Sequence, residues 1–190
     1  MQLHKRDVVE VATRLLDDYG IADLSMRRLA RELNVSAGAL YWHFANKQQL
    51  LGAVADRILQ PLGPVDGDWR ARLTATCAQL RDALLSHTDG AELVSASFAA
   101  GQSQAMAAVV DRLASAAAEA GVGSGHADLT ARTVIYYVLG FTADEQSRLQ
   151  WDAAGADVAA TEWSEDPGTR FAFGLHLLVD GIAVHSRADA

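Results

Sequence analysis

"LSMRRLARELNVSAGALYWHFANK", residues 24–47, decides the fold. Ser25 is a residue type that caps helix N-termini, and Met26, Leu29, Ala30 and Leu33 then recur at helical spacing on one face. Asn34 tolerates the left-handed conformation that ends a helix. Ser36 offers a second cap, which opens a short helix over 37–43 and leaves 34–36 as the turn. Two short helices with so brief a connection, the second separately capped, have the sequence shape of a helix-turn-helix. Lys47 begins a further helix with Leu50, Leu51, Val54, Ala55, Ile58 and Leu59 as its buried stripe.

Four consecutive rings, Tyr41, Trp42, His43 and Phe44, close the second helix. Neighbouring residues point in different directions round a helix, so a single core cannot take them all. Leu40 and Phe44 lie four apart and are expected to face inward together. Tyr41, Trp42 and His43 then offer a phenol, an indole N–H and an imidazole to a partner. The small residues Ala37, Gly38 and Ala39 would let the helix approach base edges closely. Lys47 starts the next helix, where its charge and the exposed N–H groups both favour a phosphate. Arg27, in the first turn of the preceding helix, can fork onto a guanine in the major groove. Arg28 and Arg31 read as a solvated face or as phosphate-reaching groups.

The remaining sequence is helical in pattern. Val8, Ala12, Leu15, Leu16 and Tyr19 make one stripe over 5–19, with Gly20 at the C-terminal cap position. "QPLGPVDGD", 60–68, breaks the pattern and marks the best domain boundary. Further helices are expected over 69–86, 91–99, 102–120, 127–150 and 169–186, with a turn at 87–90 and a long loop over 153–168. In the 127–150 helix, Leu129, Val134, Tyr137, Val138, Phe141 and Thr142 form the inward stripe. No alternating strand pattern and no internal repeat is visible.

Composition narrows the function. Net charge is −8, yet residues 1–60 hold eight Lys/Arg against seven Asp/Glu, and the acidic excess lies after them. Within 27–47 stand Arg27, Arg28, Arg31 and Lys47 against Glu32 alone, so a local basic patch survives. No apolar run reaches the ~18 residues a membrane span needs. The charged start, Met1–Asp7, argues against a signal peptide. One cysteine, Cys77, fits a reducing cytoplasm.

These residues resemble a known family. "LSMRRLARELNVSAGALYWHFANKQQLL" looks like the DNA-binding domain of the TetR family of bacterial repressors. "ALLSHTDGAE" (83–92), "LGFTADEQ" (139–146) and "FAFGLHLLVDGI" (171–182) look like its tetracycline-repressor-like subgroup. The resemblance implies an all-α chain. A three-helix helix-turn-helix domain would occupy 1–47, a connecting helix and linker 48–67, and a larger ligand-binding and dimerisation domain 68–190. It implies a homodimer on double-stranded operator DNA, with phosphate contacts from Ser25, Tyr41, Trp42, His43 and Lys47. Base reading would fall to Arg27, Ala37 and Ala39, with Arg28, Ser36 and Gly38 on the same surface.

The resemblance also implies an effector pocket, and there the match fails in part. The subgroup binds its drug as a magnesium chelate through a histidine, and that position here is Val94. The acidic position corresponds to Asp144, or Glu145 in the neighbouring register, and the nearby hydroxyl to Ser97. Positions that grip the drug's other end hold Gly63 and Thr76. Magnesium–tetracycline is therefore not expected as the effector, and no bound metal or cofactor is expected. An apolar pocket remains, with Thr76, Leu80, Val94, Ser97, Phe98, Met106, Leu113, Tyr137, Phe141 and Asp144 as candidate lining. Ordinary core packing is the competing reading for each. The dimer is expected through helices 127–150 and 169–186, because Leu175, Leu178, Val179 and Ile182 are more apolar than a lone surface helix needs; an intramolecular core is the competing reading. Two alternatives stand beside a ligand-responsive repressor. One is a DNA-binding dimer with a degenerate pocket. The other is a carrier or enzyme using the C-terminal cavity, against which the chain shows no nucleophile–base pair and no phosphate loop.

Overall fold

The computed structural model describes residues 3–156 and 166–188. Among these, nine α-helices and no strands are found: α1 Lys5–Tyr19, α2 Met26–Glu32, α3 Ala37–Tyr41, α4 Lys47–Ile58, α5 Trp69–Leu85, α6 Gly90–Ala99, α7 Gln104–Glu119, α8 Ser124–Ala153 and α9 Pro167–Ala188. The expected long loop falls mostly on 157–165, outside the described residues. Two compact units form. One gathers the chain up to Pro61 with Ala83–Ala107, the other Leu62–Asp82 with the chain from Ala108.

In the first unit, local chemistry sets the helix ends. Gly20 takes φ +77° and its N–H closes α1 onto the Leu16 carbonyl at 2.8 Å. Ser25 Oγ accepts from the Arg28 N–H and Ser36 Oγ from the Ala39 N–H, both at 3.2 Å. Asn34 takes the left-handed conformation, φ +52°. Asn46 caps α4 by accepting from the Gln49 N–H at 2.9 Å. The second helix of the motif is shorter than expected and ends at Tyr41. The N–H groups of His43 and Phe44 both turn back to the Leu40 carbonyl at 2.9 Å, and the tight turn carries Phe44 inward. Val8, Leu16, Leu29, Leu40, Leu50, Val54 and Ile58 are sealed from water.

Three aspartates hold the 87–105 segment to these helices. Asp17 receives the Thr88 N–H at 3.3 Å and lies 3.0 Å from His87 Nδ1. Asp89 accepts the Ile21 N–H at 2.9 Å. Asp56 accepts the Ser103 hydroxyl at 2.7 Å and the Ala105 N–H at 2.9 Å, so a side chain of α4 caps α7. Gly52 makes this approach possible: a Cβ there would lie 2.8 Å from the Gln102 carbonyl carbon. Gly52→Ala is therefore expected to destabilise by about 1–3 kcal/mol through overpacking. A calorimetric melt should show it as a fall of about 2–4 °C per kcal/mol. An unchanged melting temperature would mean that α4 and the 100–103 turn separate at no cost.

The second unit is cored by Leu73, Cys77 and Leu80 of α5, Leu113 of α7, Val134, Ile135 and Val138 of α8, and Phe171, Leu175 and Val179 of α9. Burial pushes the Cys77 thiol up to about 12, which leaves it an inert apolar filler. Helices α8 and α9 meet closely at Gly174, where a Cβ would stand 2.7 Å from the Tyr137 ring. Tyr137 donates its hydroxyl to the Phe171 carbonyl at 2.8 Å. Arg81 grips Glu145 with two hydrogen bonds, 3.0 and 2.6 Å, and its guanidinium lies 5.2 Å from the Phe171 ring centre.

Candidate functional site

The 24–47 segment sorts its side chains sharply. Leu40 is fully buried and Phe44 is 4% exposed, while Tyr41 is 52% and Trp42 91% exposed. Such exposure rules out a core role for either outer ring. His43 is half-buried, and Arg27, Ala37, Gly38 and Lys47 are exposed; Ala39 is half-buried. The caps place these groups. Ser25 fixes the first turn of α2, which carries Arg27, and Ser36 fixes the first turn of α3, which carries Ala37 to Ala39. Lys47 is the first residue of α4, directly after the Asn46 cap. Arg28 differs from its neighbour: its guanidinium pairs with Asp23 and lies 3.9 Å from the Tyr19 ring centre. To touch a phosphate it would have to leave that carboxylate.

A short capped helix with small residues at its start, outward rings at its end and a lysine on the next helix's first turn is a surface built for a nucleic-acid groove. The profile of the tetR family of bacterial regulatory proteins matches residues 8–54, and that of the tetracycline repressor-like C-terminal domain matches 60–163. The chain belongs to the TetR family. It is 33% identical to the class A tetracycline repressor protein from transposon 1721 of Escherichia coli, over 96% of this chain and 91% of that one. The crystal structure of Mycobacterium smegmatis BioQ is 63% identical, with a TM-score of 0.90, and covers 97% of this chain and 99% of that chain. A second structure, BioQ with its natural double-stranded DNA operator, is 60% identical with a TM-score of 0.84, and covers 96% of this chain and 99% of that chain. This TetR-family chain is thus an all-α, DNA-binding transcriptional repressor with a helix-turn-helix domain and a larger C-terminal helical domain, and not an enzyme.

The candidate effector residues of this TetR-family chain divide between the two units. Val94, Ser97, Phe98 and Met106 belong to the first; Thr76, Leu80, Leu113, Tyr137, Phe141 and Asp144 belong to the second. Leu80, Val94, Ser97, Met106 and Leu113 are at most 1% exposed, and Thr76 is 3% exposed. Tyr137, Phe141 and Phe171 form an aromatic cluster with ring centres 5.4–5.9 Å apart. Burial raises the Tyr137 phenol above its ordinary range, while the Arg81 charge pulls it the other way. Ser97 Oγ and Thr142 Oγ1 are buried without a hydrogen-bond partner among the described residues. Asp144 is not the inward acid expected: it is exposed and pairs with Arg148 at 3.1 Å. The inward carboxylate is Glu145, committed to Arg81.

These placements do not fit a magnesium–tetracycline chelate. Val94 has no donor atom, Asp144 faces water, and Glu145 is occupied by a guanidinium. Among the described residues no three His, Cys, Asp or Glu side chains gather as metal ligands, and no single helix is long and apolar enough to cross a membrane.

On α8 and α9 the structure corrects which apolar residues are left for a partner. Leu175, Val179 and Ile182 are 1%, 3% and 8% exposed within one chain. Leu129, expected inward, is 59% exposed. The outward apolar residues are Leu129, Tyr136, Leu149 and Trp151 of α8 with Phe173, Leu177 and Val184 of α9. Between these helices lies a cavity of about 330 Å³ lined mainly by Leu129, Val134, Leu177, Leu178 and Ile182.

Proposed function

We propose that this repressor acts as a homodimer on a palindromic operator and is released by a small, largely apolar effector other than magnesium–tetracycline. The observation that carries the DNA-binding mode is the opposed burial on one short segment, Leu40 and Phe44 inward with Tyr41 and Trp42 outward. Arg27 would read a base, and Ala37, Gly38 and Ala39 would allow close approach and thymine-methyl contact. Tyr41, Trp42, His43 and Lys47 would hold phosphates, with the Ser25 and Ser36 caps fixing both helix starts. Arg28 would position the α2 start through Asp23 and Tyr19. The operator-bound BioQ structure, at 60% identity, supports operator binding by this chain.

Homodimerisation would cover the outward apolar residues of α8 and α9, which a lone helix pair leaves in water. A regulator acting on operator DNA would work in the cytoplasm. The effector reading rests on the buried, unpartnered hydroxyl of Thr142 in the second unit, since buried polar groups ordinarily find a partner.

The test is a titration of the purified chain against a labelled duplex carrying the palindrome upstream of its own gene, followed by anisotropy. We expect one dimer per palindrome and binding about 10³-fold or more tighter than to a scrambled duplex at the same salt. Magnesium–tetracycline should leave the complex intact. Equal affinity for both duplexes would overturn the reading.

A further inference from the structure

Between residues 27 and 47, Arg27, Arg31 and Lys47 are exposed and pair with no carboxylate among the described residues. Arg28 is treated otherwise. Its side chain is 22% exposed and pairs through Nη1 with Asp23 Oδ1, and its guanidinium carbon lies 3.9 Å from the Tyr19 ring centre. One cation of a DNA-binding surface is thus committed within the chain.

Backbone contacts fix both ends of this pair. Asp23 closes a 3-10 turn, Ile21–Asp23. The Ile21 N–H of that turn is held by Asp89 at 2.9 Å, and the Leu24 N–H returns to the Ile21 carbonyl at 3.2 Å. Leu24 itself is fully buried. On the other side, the Arg28 N–H is capped by Ser25 Oγ. A carboxylate on a pinned turn and a guanidinium on a pinned first turn make a durable pair, with the Tyr19 ring as a second hold.

Phosphate contacts raise affinity for any duplex and carry no sequence information. A free Arg28 would add one such contact. Base reading by the neighbouring Arg27 depends instead on where the first turn of α2 stands, and the Asp23 pair and Tyr19 stack hold that turn. A random duplex makes no use of this placement. Releasing Arg28 therefore adds affinity for every duplex and takes placement away on the operator alone. What a regulator needs is the ratio of the two affinities.

We infer that Asp23 is a specificity-determining residue: it withholds Arg28 from the phosphate backbone and, with Tyr19, makes it an anchor for the turn that carries Arg27. The inference rests on the reading above that Arg27 reads a base.

The experiment follows the full chain by anisotropy on the operator palindrome and on a scrambled duplex from about 50 to about 200 mM salt, with a thermal melt of each variant. Asp23→Asn should steepen the slope of log affinity against log salt on the scrambled duplex by about two, one new phosphate contact in each subunit. Its gain over the unaltered chain should accordingly shrink about 10-fold across that salt range. The operator-over-scrambled ratio should fall by about 5-fold, the least that one arginine–guanine contact supplies. Arg28→Gln should lower the ratio without steepening the slope, and Asp23→Asn added to it should leave the slope unmoved. Asp23→Glu, which keeps the charge, should restore most of the ratio lost in Asp23→Asn. Tyr19→Leu loosens the same arginine from its other side and should steepen the slope in the same direction, which keeps the test open if Asp23→Asn does not fold. The same steepening in the Asp23→Asn/Arg28→Gln chain would mean that Asp23 merely repels phosphates, and overturns the proposal. An unmoved slope in a folded Asp23→Asn chain overturns it as well. A ratio left intact by Arg27→Ala overturns the base reading beneath it, whereas a ratio eroded by Arg27→Ala and untouched by Asp23→Asn overturns this inference alone.

Discussion

Arg27→Ala combined with Tyr41→Ala is expected to weaken operator binding by about 30- to 700-fold per half-site and to leave the melting curve unchanged. Loss of a bidentate arginine–guanine contact costs about 1–3 kcal/mol, and loss of a phosphate-bound phenol about 1 kcal/mol more. At 1.4 kcal/mol per tenfold, the two together span that range. Stability should not move, because Arg27 is exposed and Tyr41 keeps half its surface in water, so neither fills the core. The components separate by salt. Lys47→Ala should flatten the slope of log affinity against log salt by about two, one phosphate contact being lost in each subunit of the dimer, and weaken operator and random duplex alike. Arg27→Ala should instead erode discrimination at one base pair and leave the slope nearly intact. Leu40→Ala is the contrast: it opens a cavity under a fully buried side chain and should cost about 2–5 kcal/mol of stability. Retention of full operator affinity by the Arg27/Tyr41 double variant would remove this surface from consideration.

The N-terminal helices were legible because their code is local. Ser25, Asn34 and Ser36 act within four residues of themselves, and each does in the structure what its type and spacing imply. The end of α3 was not legible, because it depends on one carbonyl, that of Leu40, receiving two N–H groups. Contacts across long sequence separations left no local trace either. Nothing near Asp56 announces that it caps α7, and nothing near Asp17 points to Thr88. Periodicity failed in one instructive way on α9. It marked Leu175, Val179 and Ile182 as apolar, but which apolar stripe meets the chain's own helices depends on where α8 lies, and Gly174 against Tyr137 sets that. The same ambiguity gave Asp144 the inward role that Glu145 holds, since adjacent residues differ by 100° of helix and only the position of Arg81 separates them.

That pair carries the largest expected effect on stability. Arg81 and Glu145 have side chains 15% and 10% exposed, so both charges are substantially out of water. Removing one partner leaves the other uncompensated, a loss of about 3–5 kcal/mol in comparable sites. Glu145→Ala should therefore lower the melting temperature by on the order of 10 °C, at about 2–4 °C per kcal/mol for a chain of this size. Replacing both residues with leucine should recover much of the loss, because a buried ion pair often contributes little beyond an apolar pair of similar volume. The double-variant cycle thus predicts strong coupling with opposite sign to simple addition. Tyr137 supplies an independent readout. Burial holds its phenol high and the Arg81 charge moderates the shift, so Arg81→Leu should raise the phenol's titration further, as followed by ultraviolet absorbance at alkaline pH. A cycle in which the two single losses simply add would mean that the guanidinium and the carboxylate are stabilised separately by water, and that the α5–α8 contact at this point is packing alone.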